Sequence, residues 1–184
     1  MGRGRKAGSV ARDRMQQVVD ALGVSYGYEI FKAYEAAFSP IELRSVYYHL
    51  NKGIGLEEFE LVGVKAEKGP FTWGDISIRR YYILGPEAKE HASEELRTVV
   101  KEAGLKRRDP KEYVDWEKVF VERFEILNKE FSILIKARPV DPEKLSAFNN
   151  KLSLFYDWFK GNKVKINDLE VLIREVSKVL LQKQ

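Results

Sequence analysis

The chain contains no cysteine. That absence excludes disulfides, thiolate metal sites and cysteine nucleophiles together. Its two histidines, His49 and His91, stand far apart with no ligand-spaced companions, so no metal is expected. No apolar run approaches the ~20 residues that cross a bilayer, so no membrane association is expected. The opening MGRGRKAGSVARDRM lacks the apolar centre of a secretory signal. There is no Gly-rich phosphate loop, nucleophile elbow or paired-carboxylate signature. Neither catalysis nor a cofactor is expected, and a cytoplasmic protein follows. High charge without cysteine and with little glutamine also suits an archaeal or thermophilic source.

What is present is a chain of 184 residues, 44 % apolar and 33 % charged, which is enough to build a core. The net charge of +4 is unevenly spread. Residues 1–14 hold five Lys/Arg against one Asp, whereas residues 15–104 hold ten against fourteen Asp/Glu. Residues 105–184 return to seventeen against thirteen. Only the tail is strongly basic, and a nucleic-acid binder usually carries a basic footprint.

Met15, Val18, Val19 and Leu22 follow the i, i+3, i+4, i+7 spacing of an amphipathic helix over Arg12–Leu22, which Gly23 closes. A second helix is expected from Tyr26 or Tyr28 to Ala37. A third should run over 40–52: Ser39 as N-cap, Pro40 at the first helical position and Glu42 completing a capping box. Phe38 and Leu43 are placed for a hydrophobic staple. Leu43, Val46, Tyr47 and Leu50 form its buried stripe, and Gly53 ends it. Two strands are expected at Phe59–Lys68 and Ile76–Leu84, with Gly63 as a possible bulge. The intervening KGPFTWGD is a turn longer than the tightest hairpin.

The remainder reads as helices. One spans 87–104, with Ala88, Ala92, Leu96, Val99 and Ala103 down one side. LKRRDP is a linker. A long helix from Asp109 carries Tyr113, Trp116, Phe120, Phe124, Leu127, Phe131 and Leu134 at steps of three and four. Asp141–Pro142 opens another that ends at Gly161, and Asn167 with Glu170 caps the last. Short loops between long helices imply an antiparallel bundle.

Three helices followed by a two-stranded hairpin is the order of a winged helix-turn-helix. The expected architecture is mainly α (α+β): a flexible basic tail at 1–9, a winged helix at 10–86 and a helical bundle at 87–184. In such a module the third helix lies in the major groove and the hairpin touches the backbone. Arg44, Ser45, Tyr48, His49 and Lys52 fall opposite the buried stripe. Arg44 suits guanine, Ser45 either donor or acceptor edges, and Tyr48 a phosphate or a thymine methyl. Lys65, Lys68, Arg79 and Arg80 on the hairpin suit phosphates. Arg3, Arg5 and Lys6 suit a minor groove, and Phe71 and Trp73 at the hairpin tip suit base stacking. The helix and hairpin charges equally fit a solvated face and the tail a solubilising end, while Phe71 and Trp73 equally fit packing back onto the domain.

ALGVSYGYEIFKAY, SVYYHL and RRYYILGPEAK resemble the winged-helix transcription regulators of the PadR type. The matching positions are Gly27, Tyr28, Glu29 and Ile30, then Ser45, Val46 and Tyr47, then Arg79 to Leu84, within about residues 15–90. VYYHL is also similar to ArsR-like archaeal regulators. The resemblance implies DNA-binding regulation and dimers formed through the C-terminal helices; the expected location is the nucleoid within the cytoplasm. Trp116, Phe120, Phe124, Phe131, Phe155 and Phe159 are the candidate dimer residues. Val114, Val119, Val121, Ile126 and Ile133 lie off the main stripe, which favours a homodimer over a lone bundle. The expected partner is double-stranded DNA. DNA is favoured if Arg44, Lys52, Lys65, Lys68, Arg79 and Arg80 surround one surface free of carboxylates; the rivals are a protein–protein adaptor, favoured if Glu57, Glu58, Glu60 and Glu67 crowd that surface, and an RNA-binding protein.

Overall fold

The computed structural model describes residues 9–71, 74–137 and 139–181. It is mainly helical with one small antiparallel sheet. The chain forms two compact units, one ending at Val114 and the other beginning at Asp115.

The first unit runs α1 (Val10–Leu22), β1 (Ser25–Tyr26), α2 (Gly27–Ala37), α3 (Leu43–Gly55), β2 (Phe59–Phe71), β3 (Gly74–Leu84), α4 (Glu94–Glu102) and α5 (Pro110–Tyr113). The α1 stripe Met15, Val18, Val19 and Leu22 is fully buried. It shares one core with Ile30, Ala33 and Tyr34 of α2, Val46 and Leu50 of α3, and Phe59 and Tyr82 of the sheet. The sheet order is β1-β3-β2. β1 is a two-residue strand that no periodicity announces; it pairs Ser25 with Tyr82 and Tyr26 with Tyr81.

Several boundaries move from where the sequence puts them. α3 starts at Leu43, because the Glu42 carbonyl accepts its first hydrogen bonds, from the N–H groups of Ser45 (2.9 Å) and Val46 (3.2 Å). Ser39 and Pro40 therefore lie outside the helix, and Phe38 and Leu43 no longer stand at staple positions. The Phe38 ring packs on Tyr34 at 5.2 Å, under the Arg14 guanidinium at 5.0 Å. Gly53 does not end α3. It is buried within the helix, where a Cβ would lie 2.3 Å from the Phe59 ring, so this glycine serves close packing. The hairpin ladder continues to Phe71↔Gly74, beyond the expected strand ends. The suggested bulge is present: Leu61 pairs with Tyr82 and Gly63 with Tyr81, leaving Val62 as the extra residue.

The helix expected from residue 87 forms only at Glu94. Side chains of α1 capture the backbone before it. The N–H groups of Lys89 and Glu90 donate to Gln16 Oε1 at 2.9 and 3.1 Å, and that of Ala92 donates to Asp20 Oδ2 at 3.0 Å. These donors are satisfied without helix, so the segment runs as a strap along α1. Ser93 then caps α4, its Oγ accepting from the Leu96 N–H at 3.2 Å. Leu96 and Val100 join the first unit's core, so the division falls after Val114 and not after residue 86.

LKRRDP is docked rather than free. The Arg108 N–H donates to the Leu22 carbonyl (2.8 Å), and the Arg108 carbonyl accepts from the Val24 N–H (3.0 Å). The Arg108 guanidinium binds both Glu29 carboxylate oxygens at 2.7 Å and the Val24 carbonyl at 3.1 Å.

In place of one long helix from Asp109, two form, each with its own aspartate cap. Asp109 accepts from the Lys111 N–H at 2.9 Å at the start of α5, and Asp115 from the Lys118 N–H at 3.1 Å at the start of α6. The second unit holds α6 (Trp116–Lys136), α7 (Pro142–Gly161) and α8 (Asn167–Leu181). Asp141 caps α7 as expected. Asn167 lies inside α8, whose Glu170 N–H bonds to the Ile166 carbonyl. α6 and α7 are antiparallel, with Phe120 against Phe159 (5.1 Å) and Phe131 stacked on Phe148 (6.0 Å).

The candidate dimer residues serve this packing. Phe120, Phe131, Phe155 and Phe159 are buried within the unit. Trp116 is half-buried against Trp158, and Phe124 is half-buried on Phe120. These rings close the unit's own core. The exposed apolar side chains of α6 are instead Val121, Ile126, Ile133 and Ile135.

Candidate functional site

The orientation of α3 is fixed by Val46, Leu50 and Gly53, all buried. At 100° per residue their mean direction sends the opposite face through Arg44, Tyr48, Asn51 and Lys52. All four are exposed. Sequence reasoning misses Asn51, although it stands seven residues from Arg44 and three from Tyr48. Counting Tyr47 in the buried stripe in place of Gly53 rotates the outward face by roughly 40°. Tyr47 is 39 % exposed, and its ring lies on Gly27, where a Cβ would meet Cε1 at 2.3 Å. Burial raises the Tyr47 pKa, and the Arg80 charge nearby opposes the rise.

Ser45 and His49 sit on the flank of the helix, not at its outward centre. Both are half-buried. His49 Nδ1 is buried without a hydrogen-bond partner among the described residues. The His49 ring meets Tyr48 edge-on at 5.2 Å. Burial first, then the positive charges of Arg12 and Lys52, hold its pKa below the ordinary value. The folded state therefore favours neutral imidazole. Stability is fully present above the unfolded pKa of about 6.5 and is lost as pH falls through the lower folded value. Urea midpoints are expected to fall between pH 7.5 and 5.5, and His49→Gln is expected to flatten that fall. Equal slopes for both proteins would remove His49 from the account.

The hairpin sorts its charges by face. Directly paired residues share a face. One face carries Val64 with Arg80, Ala66 with Ile78 and Lys68 with Ile76. All six are exposed. The opposite face carries Lys65 with Arg79 and Glu67 with Ser77. There Arg79 binds Glu67 at 2.6 Å and stacks over Tyr26 at 4.2 Å. Tyr81 donates to Glu67 at 3.2 Å, and Lys65 lies over the Tyr81 ring at 5.5 Å. Arg79 and Lys65 are thus held on a partly neutralised face, apart from Arg80 and Lys68.

The acids do not crowd the first face. Glu58 is bound by Arg12, a buried arginine of α1. Glu60 is buried and pairs with Ile83, on the alternate side of the ladder. Glu57 lies in the turn after α3 at positive φ, its carbonyl bonded to the Glu87 N–H. Among the described residues, the hairpin face that carries Arg80 and Lys68 has no carboxylate at its paired positions.

Arg3, Arg5, Lys6 and Trp73 lie outside the described residues, as does the Phe71 side chain. No described helix is long and apolar enough to cross a membrane. No family model, no curated protein and no solved structure matches the chain.

Proposed function

We propose that the first unit is a winged-helix module that binds duplex DNA, as the resemblance to PadR-type regulators implies. α3 would enter the major groove and the β2–β3 hairpin would lie on the adjoining backbone. The observation that carries this reading is the carboxylate-free hairpin face bearing Arg80 and Lys68, with Arg80 acting electrostatically on Tyr47 of α3. A polyanion needs cations on one surface, not a basic sum, and the sorting of the hairpin charges supports the reading despite the acidic total of residues 15–104. Arg44 and Asn51 carry the side-chain groups that form bidentate pairs with guanine and adenine. Tyr48, with Lys52 over its ring at 6.0 Å, suits the sugar–phosphate wall.

One observation favours the adaptor reading. Val64, Ile76 and Ile78 on the same hairpin face are 57 %, 55 % and 70 % exposed, and contiguous exposed apolar surface commonly marks a protein partner. A mobility-shift titration with duplex DNA, single-stranded DNA and RNA at two salt concentrations separates the readings. Duplex binding that weakens steeply with salt is the expected result. Absence of binding to every nucleic acid at low salt overturns the DNA reading and leaves the adaptor. Preference for single-stranded RNA moves the function there.

A further inference from the structure

The first unit carries a second cationic feature that the DNA reading does not use. A groove of about 420 Å³ is lined by Ala21, Arg97, Val100, Lys101, Leu105, Lys106 and Arg107. Its volume falls in the ~300–1,000 Å³ range of small-molecule sites.

The fold builds this groove from a helix end. Arg97, Val100 and Lys101 share one face of α4 by their i, i+3, i+4 spacing. α4 ends in a Schellman motif with Gly104 at φ 75. The Gly104 N–H bonds to the Lys101 carbonyl at 3.0 Å and the Leu105 N–H to the Val100 carbonyl at 3.2 Å. That turn folds Leu105 back toward Val100. Ala21 and Val100, each 3 % exposed, complete an apolar floor.

The rim is cationic and has no carboxylate among its lining residues. Arg97 is taken by Asp20 at 2.7 Å. Lys101, Lys106 and Arg107 are exposed and form no ion pair among the described residues. One cation at a helix C-terminus is explained by the carbonyl dipole. Three unpaired cations around one apolar floor repel one another, and an anion seated among them relieves the repulsion.

We propose that this groove binds a small organic anion: an apolar body on the Ala21–Val100–Leu105 floor and a carboxylate, sulfonate or phosphate ester held by Lys101, Lys106 and Arg107. The site is independent of DNA binding. Its rim residue Arg107 adjoins Arg108, which clamps Glu29 at the start of α2.

The test uses the full chain and anilinonaphthalene sulfonate, an anion with an apolar body, followed by fluorescence and by amide shifts. Saturable binding is expected, with shifts at Val100, Lys101, Leu105 and Arg107. Lys101→Gln combined with Arg107→Gln is expected to weaken it by about tenfold or more, the usual scale for charge-assisted contacts. The neutral N-phenylnaphthylamine is expected to bind at least about tenfold more weakly. Unchanged affinity in a double variant that melts like the wild type overturns the proposal. So does equal binding of the neutral dye, or shifts confined to Val64, Ile76 and Ile78. Should the double variant melt early, Lys106→Gln, exposed and outside any helix, takes its place with the same two outcomes.

Discussion

Replacing Arg44 and Arg80 together with alanine is expected to lower affinity for duplex DNA about a hundredfold or more, since each interaction of this kind is worth ~1–3 kcal/mol. The control pair is Lys65→Ala with Arg79→Ala, which removes the same formal charge from the other side of the hairpin. That pair should change affinity only slightly, because Arg79 is already bound to Glu67 and Lys65 lies over Tyr81. Fluorescence anisotropy at fixed salt measures both. The slope of log affinity against log salt should become shallower by about one for each phosphate-binding cation removed. Equal reductions from the two pairs would mean that net charge, not the sorted face, governs binding.

Gly23→Ala is expected to be the most damaging single methyl in the first unit. Gly23 has φ 70, and an added Cβ would lie 2.0 Å from the Arg108 carbonyl oxygen. Its φ of 70 with ψ of −112 lies outside even the left-handed helical region, and such backbone costs a non-glycine residue about 1–3 kcal/mol. The clash must also open the bridge between residues 23 and 108, which includes the Val24 N–H bond to the Arg108 carbonyl. A total of about 3 kcal/mol corresponds to a drop in melting temperature of roughly 10–20 °C for a unit of this size. Gly55→Ala is the matched control: nothing stands within 4 Å of its added Cβ and its φ is not positive. Similar melting of the two variants would show that the Gly23–Arg108 bridge does not hold the unit together.

Periodicity makes the helices legible. The stripes of α1, α7 and α8 can be read because buried apolar residues recur at three and four. The aspartate at 141 and the proline after it mark the start of α7. Interactions between residues distant in sequence are not legible in this way. The strap before α4 has a helical pattern, but Gln16 and Asp20 of α1, over seventy residues earlier, take the N–H groups of Lys89, Glu90 and Ala92. The same holds for Arg108, whose partner Glu29 cannot be inferred from its neighbours in LKRRDP. At the candidate site, spacing finds Arg44, Tyr48 and Lys52, while Asn51 stays hidden behind the assignment of Tyr47. Tyr47 looks like core and Gly53 looks like a stop. Their roles depend on which groups lie opposite, Gly27 under Tyr47 and Phe59 on Gly53.

The bulge at Val62 has a consequence for how charge should be counted in this chain. In an unbulged ladder continuing from Leu61↔Tyr82, every later residue of β2 would change sides relative to β3. Lys65 and Glu67 would then stand with Arg80, Ile78 and Ile76, while Val64, Ala66 and Lys68 turned away. Composition and net charge would be identical in the two arrangements. One residue left out of the pairing thus acts as a parity bit: it decides whether the face of Arg80 carries charges of both signs or cations alone, and no tally along the chain detects it.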